Sequence, residues 1–211
     1  VYNSPRIVTD NLVFLVDAGN TKSYAGDIVT PSGPAYGYFG GGYDPSYEST
    51  VDRIDYGNDT ATAAVKGPLS VAKAFMSATG NASYGYWGGG RVPAKVSSID
   101  RIDYSSDTST AAPKGPLSAV RYGTGATGTA SYGYFGGGYY PGTFSTVDRV
   151  DYSSDTSTAV AKGPLSVVRG DVAATGNTSY GYFGGGYPGQ LSTVDRIDYS
   201  NDTATAVAKG P

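Results

Sequence analysis

The chain of 211 residues repeats itself four times, and this repetition limits the folds that it can adopt. The motif Tyr-Gly-Tyr-aromatic-Gly-Gly-Gly recurs every 48 residues, beginning at Tyr36, Tyr84, Tyr132 and Tyr180. An Asp-Arg-(Ile/Val)-Asp-Tyr block and a Lys-Gly-Pro block follow in each copy, and the fourth copy is one residue shorter between Gly186 and Ser192, which predicts a loop there. A fixed period of this size is typical of solenoids, propellers and other arrays, whose units bury one another.

Each unit contains four short segments of strand-forming residues. In the last copy these segments are Asp171–Ala174, Ser179–Phe183, Thr193–Tyr199 and Thr203–Ala208. Turn-forming Gly, Pro, Asn, Asp and Ser separate them, and nowhere is there an eleven-residue stretch of helical periodicity without Gly or Pro. We therefore predict an all-β protein with four antiparallel strands in each unit.

A four-stranded sheet of this size cannot bury both of its faces alone, so neighbouring sheets must cover one another. Radial stacking of the sheets, as the blades of a β-propeller, achieves this. Small residues let the sheets approach closely, and the aromatic residues of the Tyr-Gly-Tyr-Phe segment fill the gaps. We predict four blades, at residues 25–68, 69–116, 117–164 and 165–211, preceded by an extended N-terminal segment at residues 1–24.

The repeat leaves open whether the blades close into a four-bladed ring or belong to a larger ring or array. Pro211 lies inside a Lys-Gly-Pro-Leu-Ser link that is complete in the three earlier copies, so we expect either that the polypeptide continues or that rings close between chains. Val1 stands where an initiator Met is expected, which favours a processed product or a fragment.

The order of these motifs resembles a kelch-type repeat. In the last copy, Tyr-Gly-Tyr-Phe-Gly-Gly is followed by Val194–Asp198 and by Asp202-Thr203, and the Pro-Leu-Ser links lead to Arg121 or Arg169. The resemblance runs from about Ala25 to Pro211 and implies a β-propeller. Kelch units usually carry a tryptophan after the Asn/Asp-Thr turn, whereas small residues replace it here, near Ala61, Ser109, Ser157 and Ala204. We therefore expect the blades to pack more thinly than in a typical kelch ring.

Residues 1–24 do not match the repeat. They contain the apolar run Leu12–Val16, which has the length of a buried strand that needs an external partner. The segment from Pro5 to Tyr24 resembles the lead-in of concanavalin/laminin-G-like modules in tailed-phage virion proteins. This resemblance covers about two dozen residues and implies a virion or appendage setting, not a lectin fold.

The composition excludes several classes of function. Histidine and cysteine are absent, which excludes zinc fingers, disulfide scaffolds, histidine-bound metals and catalytic sets built on Ser-His-Asp or Cys-His. The net charge of −3 does not indicate a basic surface that would bind nucleic acid. No apolar run approaches the roughly 20 residues that cross a bilayer. We predict no cofactor, no metal, no nucleic-acid partner and no insertion into a membrane.

The recurring aspartates admit two interpretations. As calcium ligands, Asp52, Asp55 and Asp59 would have the wrong spacing, and strand alternation places the first two on opposite faces of a sheet. We favour a structural role, in which Asp59 and its copies cap turns and Asp52 or Asp55 pairs with Arg53. Since the acids and arginines of the repeated blocks recur from blade to blade, no unique catalytic constellation is indicated, and we predict that the protein is not an enzyme.

Comparison of the copies separates invariant turns from variable loops. The loops between the second and third strands vary, as do the links from each fourth strand to the next blade, and in a propeller both emerge on the same face. We predict that this variable rim is a binding surface. Its candidate residues are Tyr43, Tyr47, Arg91, Lys95, Tyr122, Tyr139, Tyr140, Phe144, Arg169, Tyr187 and Gln190.

These observations predict a non-enzymatic structural or adhesion propeller of a phage virion or appendage. It would lie at the virion surface or outside the cell and bind a host-surface receptor or glycan through the rim. The first alternative is an architectural virion or filament subunit, in a homo-oligomer, whose variable loops contact other subunits. A polysaccharide-degrading enzyme is disfavoured, because the repeated blocks contain no carboxylate pair that is unique to one blade.

Overall fold

The computed structural model describes residues 36–210 together with two short strands, β1 (Leu15–Val16) and β2 (Ser23–Tyr24). These two strands pair antiparallel, with Leu15 opposite Tyr24. The rest of the predicted N-terminal segment lies outside the described residues, and so does the predicted first strand of the first blade. The partner of the apolar run, as far as it is described, is therefore a segment of the same chain.

The described residues form an all-β fold of four successive antiparallel sheets, as the repeat predicts. In each sheet, strands that are consecutive in the chain are neighbours. Sheet I contains three described strands, β3 (Tyr36–Tyr43), β4 (Tyr47–Asp55) and β5 (Ala64–Lys66). Sheet II contains four strands, β6 (Ser77–Gly80), β7 (Tyr84–Gly88), β8 (Ile99–Asp103) and β9 (Ala112–Lys114).

Sheets III and IV repeat the arrangement of sheet II. Sheet III consists of β10 (Gly125–Gly128), β11 (Tyr132–Gly136), β12 (Val147–Asp151) and β13 (Val160–Ala161). Sheet IV consists of β14 (Ala173–Gly176), β15 (Tyr180–Gly184), β16 (Val194–Asp198) and β17 (Val207–Lys209). Short 3-10 turns follow the third strand of sheets II, III and IV, at Tyr104–Ser106, Tyr152–Ser154 and Tyr199–Asn201.

Two strands of the last sheet begin at least two residues later than predicted. The first strand begins at Ala173, two residues after its predicted start, because Asp171 has a left-handed backbone with φ of 52° that interrupts the extended chain. The fourth strand begins at Val207 instead of Thr203, since Asp202 and Thr203 belong to the turn that follows the 3-10 segment.

The alternation of large and small residues in the second strand determines how the sheets stack. In sheet III, Tyr134 and Gly136 face sheet IV, whereas Gly133 and Phe135 face sheet II. The Phe183 ring of sheet IV lies against Gly136, where an added Cβ would be 2.6 Å from a ring carbon. Glycine is required here because any larger side chain would push the next sheet away.

Core clusters lie between successive sheets. Between sheets II and III the buried side chains include Ile99, Leu117, Phe135 and Val150. Equivalent clusters join sheets I and II and sheets III and IV. The first strands β6, β10 and β14 lie side by side. None of these clusters joins sheet IV back to sheet I within the part of the chain that the structure describes.

Candidate binding rim

The variable loops and links lie side by side at one edge of the stacked sheets. Two-way backbone hydrogen bonds join Ala74 to Arg91, Tyr122 to Tyr139 and Gly170 to Tyr187. Each of these bridges connects a link to the loop between the second and third strands of the sheet that follows it. The links also contact one another, because Gly123 N donates to Phe75 O at 2.8 Å and Asp171 N donates to Gly123 O at 2.7 Å.

A row of aromatic rings runs along this edge. The ring centre of Tyr139 lies 5.4 Å from that of Tyr122 and 6.1 Å from that of Tyr187. Phe75 continues the row at 6.2 Å from Tyr122. The outer members are well exposed, Tyr187 at 59% and Phe75 at 52%. Sheets II, III and IV therefore contribute to one continuous aromatic surface, which we call the aromatic row.

A pocket of about 180 Å³ lies at the sheet I end of the aromatic row. It is lined by Tyr43, Tyr47, Phe75 and Arg91. The Tyr43 and Tyr47 rings meet edge to face with their centres 5.0 Å apart. Because Phe75 belongs both to the pocket and to the row, the two form a single surface.

Phe75 was not among the predicted site residues, although its link was recognised as variable. Its position corresponds to Gly123 and Asp171 in the later copies, and all three have left-handed backbones, with φ of 60° at Phe75. This conformation is unfavourable for a bulky residue. The sequence marks this residue by an aromatic side chain at a position where the other copies carry Gly or Asp.

Four further predicted residues lie in the loops beside the row. Lys95 Nζ lies 4.7 Å above the centre of the Tyr140 ring, a cation–π contact, and Tyr140 is exposed. Phe144 is half-buried, with the guanidinium carbon of Arg121 at 6.0 Å from its ring centre. Gln190 is exposed, in the loop of sheet IV.

Arg169 does not lie on this surface, which corrects its place among the candidate residues. Its side chain is fully buried and forms an ion pair with Asp195 at 3.3 Å. It also donates to the carbonyl oxygens of Gly185, at 3.1 Å, and Thr193, at 2.9 Å. Arg169 therefore binds the buried side of the sheet IV loop. A cation occurs at the equivalent position of all three links, as Lys73, Arg121 and Arg169, and this recurrence indicates the structural role.

Burial shifts the pKa of two of the link cations and of one ring in the aromatic row. Burial lowers the pKa of Arg121 despite the nearby charge of Asp148, and it lowers the pKa of Lys73 despite Asp100. The pKa of Tyr139 is raised to about 12, first by burial and then by the charge of Asp171 and a hydrogen bond to it.

The predicted roles of the aspartates were wrong. The copies of Asp55 cap the 3-10 turns, as Asp103 Oδ1 accepts from Ser105 N at 2.9 Å. Hydrogen bonds from the Ser105 side chain and backbone lower the pKa of Asp103. The copies of Asp59 do not cap turns through their side chains but form ion pairs between sheets, as Arg53 Nη1 donates to Asp107 Oδ2 at 2.7 Å.

No protein-family model matches this chain, and the search of curated proteins finds no match. The resemblances to kelch repeats and to phage virion proteins therefore stay predictions. Across the described residues, no group of three or more acidic, histidine or cysteine side chains is placed to hold a metal ion. The same residues include no helix with the length and apolarity to cross a membrane.

Proposed function

We propose that this chain is a non-enzymatic binding module whose aromatic row and pocket bind a carbohydrate on a host surface. The observation that carries the proposal is the continuous run of rings from Tyr43 to Tyr187 across four sheets. Tyr43, Phe75 and Tyr187 are exposed, and the other rings of the run are half-buried. The apolar faces of sugar rings stack on aromatic side chains, and the hydroxyl groups of sugars need polar partners at the edge of such a surface. Arg91, Lys95 and Gln190 provide such partners here.

The backbone of the rim supports a role in recognition. The non-glycine residues Phe75, Tyr140 and Gln190 all have positive φ values, of 60°, 115° and 52°. Such conformations cost of order 1–3 kcal/mol each and persist where the surrounding structure fixes them. A surface held in this way is organised before a ligand arrives, so less entropy is lost on binding.

The proposed architecture is a set of kelch-like β-propeller blades that form part of a ring or array. Face-to-face stacking of the sheets, with their first strands side by side, supports it. In a propeller the first strands lie nearest the axis, and the aromatic row would then follow one rim of the ring.

A virion or appendage setting, at the virion surface or outside the cell, is the environment that we propose for this module. Its support is the resemblance of the segment from Pro5 to Tyr24 to phage virion proteins. The proposal that the module is not an enzyme is supported by repetition, because the buried aspartates of successive sheets have equivalent partners. Asp148 and Asp195, for example, each pair with the arginine of the preceding link.

Glycan-binding measurements test this function. The wild-type chain is titrated with bacterial capsular polysaccharides and lipopolysaccharide O-antigens, with binding followed by calorimetry and by saturation-transfer NMR. We expect Tyr187→Ala and Phe75→Ala each to weaken binding by about tenfold or more, as loss of a central aromatic contact does. Val160→Ala, at a similarly exposed apolar residue on β13, is the matched control and should bind like the wild type.

The proposal would be refuted if the wild type bound none of the polysaccharides in such a panel. It would also be refuted if the aromatic variants bound a polysaccharide as tightly as the wild type does. The alternative function is that of an architectural subunit whose rim contacts other subunits. In that case the Tyr187→Ala and Phe75→Ala variants would impair assembly of the particle while glycan binding would be absent from the wild type.

A further inference from the structure

The contact between successive sheets is built from one set of residues, repeated with the period of the sequence. Asp107, Asp155 and Asp202, in the turns before the fourth strands, each form two ion pairs with the preceding sheet. For Asp155 the cations are Arg101, at 2.7 Å, and Lys114, at 3.2 Å, and Tyr86 adds a hydrogen bond at 3.0 Å.

An aromatic residue and a glycine complete this contact on the same interface. The Phe135 ring of sheet III lies on Gly88 of sheet II, and the Phe183 ring of sheet IV lies on Gly136 of sheet III. Trp87 occupies the same place against Gly40. The three aromatic side chains are 0–4% exposed, so this contact is dry.

Sheet IV presents the donor half of this contact without an acceptor among the described residues. Tyr182, Arg196 and Lys209 stand where Tyr134, Arg149 and Lys162 stand in sheet III. Arg196 forms no ion pair within residues 36–210, and its buried Nε lacks a hydrogen-bond partner. Among the described residues Gly184 has no aromatic neighbour, and the nearest of their atoms to an added Cβ would be a Val194 methyl group at 3.4 Å.

Sheet I presents the acceptor half. Asp59 lies 48 residues before Asp107 in the sequence, is exposed, and forms no ion pair with any described residue. Phe39 corresponds to Trp87, Phe135 and Phe183, but it is 36% exposed. The two ends of the stack therefore carry the two complementary halves of the contact that joins every pair of internal sheets.

We propose that copies of this chain associate head to tail, with Phe39 and Asp59 of one copy seated on Gly184, Tyr182, Arg196 and Lys209 of the next. The charges are complementary, because an exposed carboxylate meets an arginine and a lysine. The shapes are complementary too, because an aromatic ring meets a glycine that has space above it. The interface is heterologous, so it continues from copy to copy or closes a ring. This association does not depend on glycan binding.

Charge reversal tests the proposal with the full chain. We expect the wild type to assemble with increasing concentration in sedimentation-velocity experiments. Asp59→Arg and Arg196→Asp should each weaken association by at least about 30-fold, since each places like charges in the contact. An equimolar mixture of the two variants should assemble again, because each end of one variant then meets an opposite charge on the other. Asp44→Arg, a reversal at an exposed acid in the loop after β3, is the control and should assemble like the wild type.

Gly184→Ala adds a steric test that leaves the charges unchanged. An added methyl group fits within one chain, with its nearest neighbour at 3.4 Å, but it would occupy the place of the Phe39 ring of the next copy. We expect this variant to be folded and stable but impaired in association. A wild type that stays monomeric at all concentrations would overturn the proposal. Assembly that survives both charge reversals would overturn it as well.

Discussion

Arg121 Nη2 lies 2.9 Å from Asp148 Oδ2, and both side chains are fully buried. Arg121 belongs to the link that enters sheet III and Asp148 to the third strand of that sheet, so the ion pair fixes the link to the sheet. Ser118 donates to the same carboxylate from its backbone nitrogen and from its hydroxyl group, both at 2.7 Å. Asp195 and Arg169 repeat this arrangement in sheet IV.

Removing the arginine of this pair should strongly destabilise the protein. Arg121→Met leaves Asp148 as a buried charge without its cation, so we expect the free energy of unfolding to fall by about 3–5 kcal/mol in urea denaturation. Arg121→Lys should lose less, because Lys73 and Asp100 form the equivalent buried pair at 3.2 Å in sheet II. Equal stability of Arg121→Met and the wild type would show that the pair does not hold the link.

The contact between Gly136 and Phe183 should tolerate no added methyl group. In Gly136→Ala the new Cβ would lie 2.6 Å from a carbon of the buried Phe183 ring, so sheets III and IV must separate. We expect a loss of about 1–3 kcal/mol in the free energy of unfolding, the usual cost of overpacking a core. Gly142→Ala, where an added Cβ meets nothing within 4 Å, is the control. Similar unfolding curves for the two variants would contradict the prediction.

Asp107 should make stability depend on pH in the acid range. Burial acts to raise the pKa of Asp107, but hydrogen bonds from Tyr38 and Lys66 and the charges of Arg53 and Lys66 outweigh it, so this pKa lies below the ordinary 3.8. The pKa is lower in the folded state than in the unfolded chain, so the carboxylate contributes stability above about pH 3.8 and loses it as the pH falls through the folded-state pKa.

Comparison with Asp107→Asn isolates this contribution. The difference in unfolding free energy between the wild type and the variant should be constant from about pH 5 to pH 7 and should shrink below about pH 3.8. Urea denaturation across this range measures it. A difference that does not change between the two ends of the range would exclude a lowered pKa for Asp107.

Tyr139 should ionise at a higher pH than an ordinary tyrosine, with a pKa of about 12. Burial is the largest cause, followed by the charge of Asp171 and the hydrogen bond to it, both of which favour the neutral phenol. Asp171→Asn removes the charge, so the pKa of Tyr139 should fall while the part caused by burial remains. NMR titration of ¹³C-labelled tyrosine rings measures it, with Asp44→Asn as a control for net charge. An unchanged pKa in Asp171→Asn would show that Asp171 does not act on this ring.

Local features of the sequence predicted the local structure. The turn residues and the Tyr-Gly-Tyr-Phe pattern predicted four antiparallel strands per unit, and sheets II, III and IV have them. The variable loops and links were predicted to lie on the same face, and the structure places Tyr122, Tyr139 and Tyr187 in one row. Strand propensity, turn chemistry and side-chain alternation act over a few residues, so they can be read directly from the chain.

The partners of the charged residues were decided by the tertiary structure alone. Arg53 bonds to Asp107, 54 residues away and in the next sheet, instead of to a neighbour in its own strand. Arg169 lies beneath a loop and not on the rim. The period shows which residues are equivalent, but it does not show which of them meet. Those contacts depend on how one twisted sheet lies on the next, and that is set by the packing of Phe183 on Gly136 and its counterparts, contacts that exist only when the sheets are stacked.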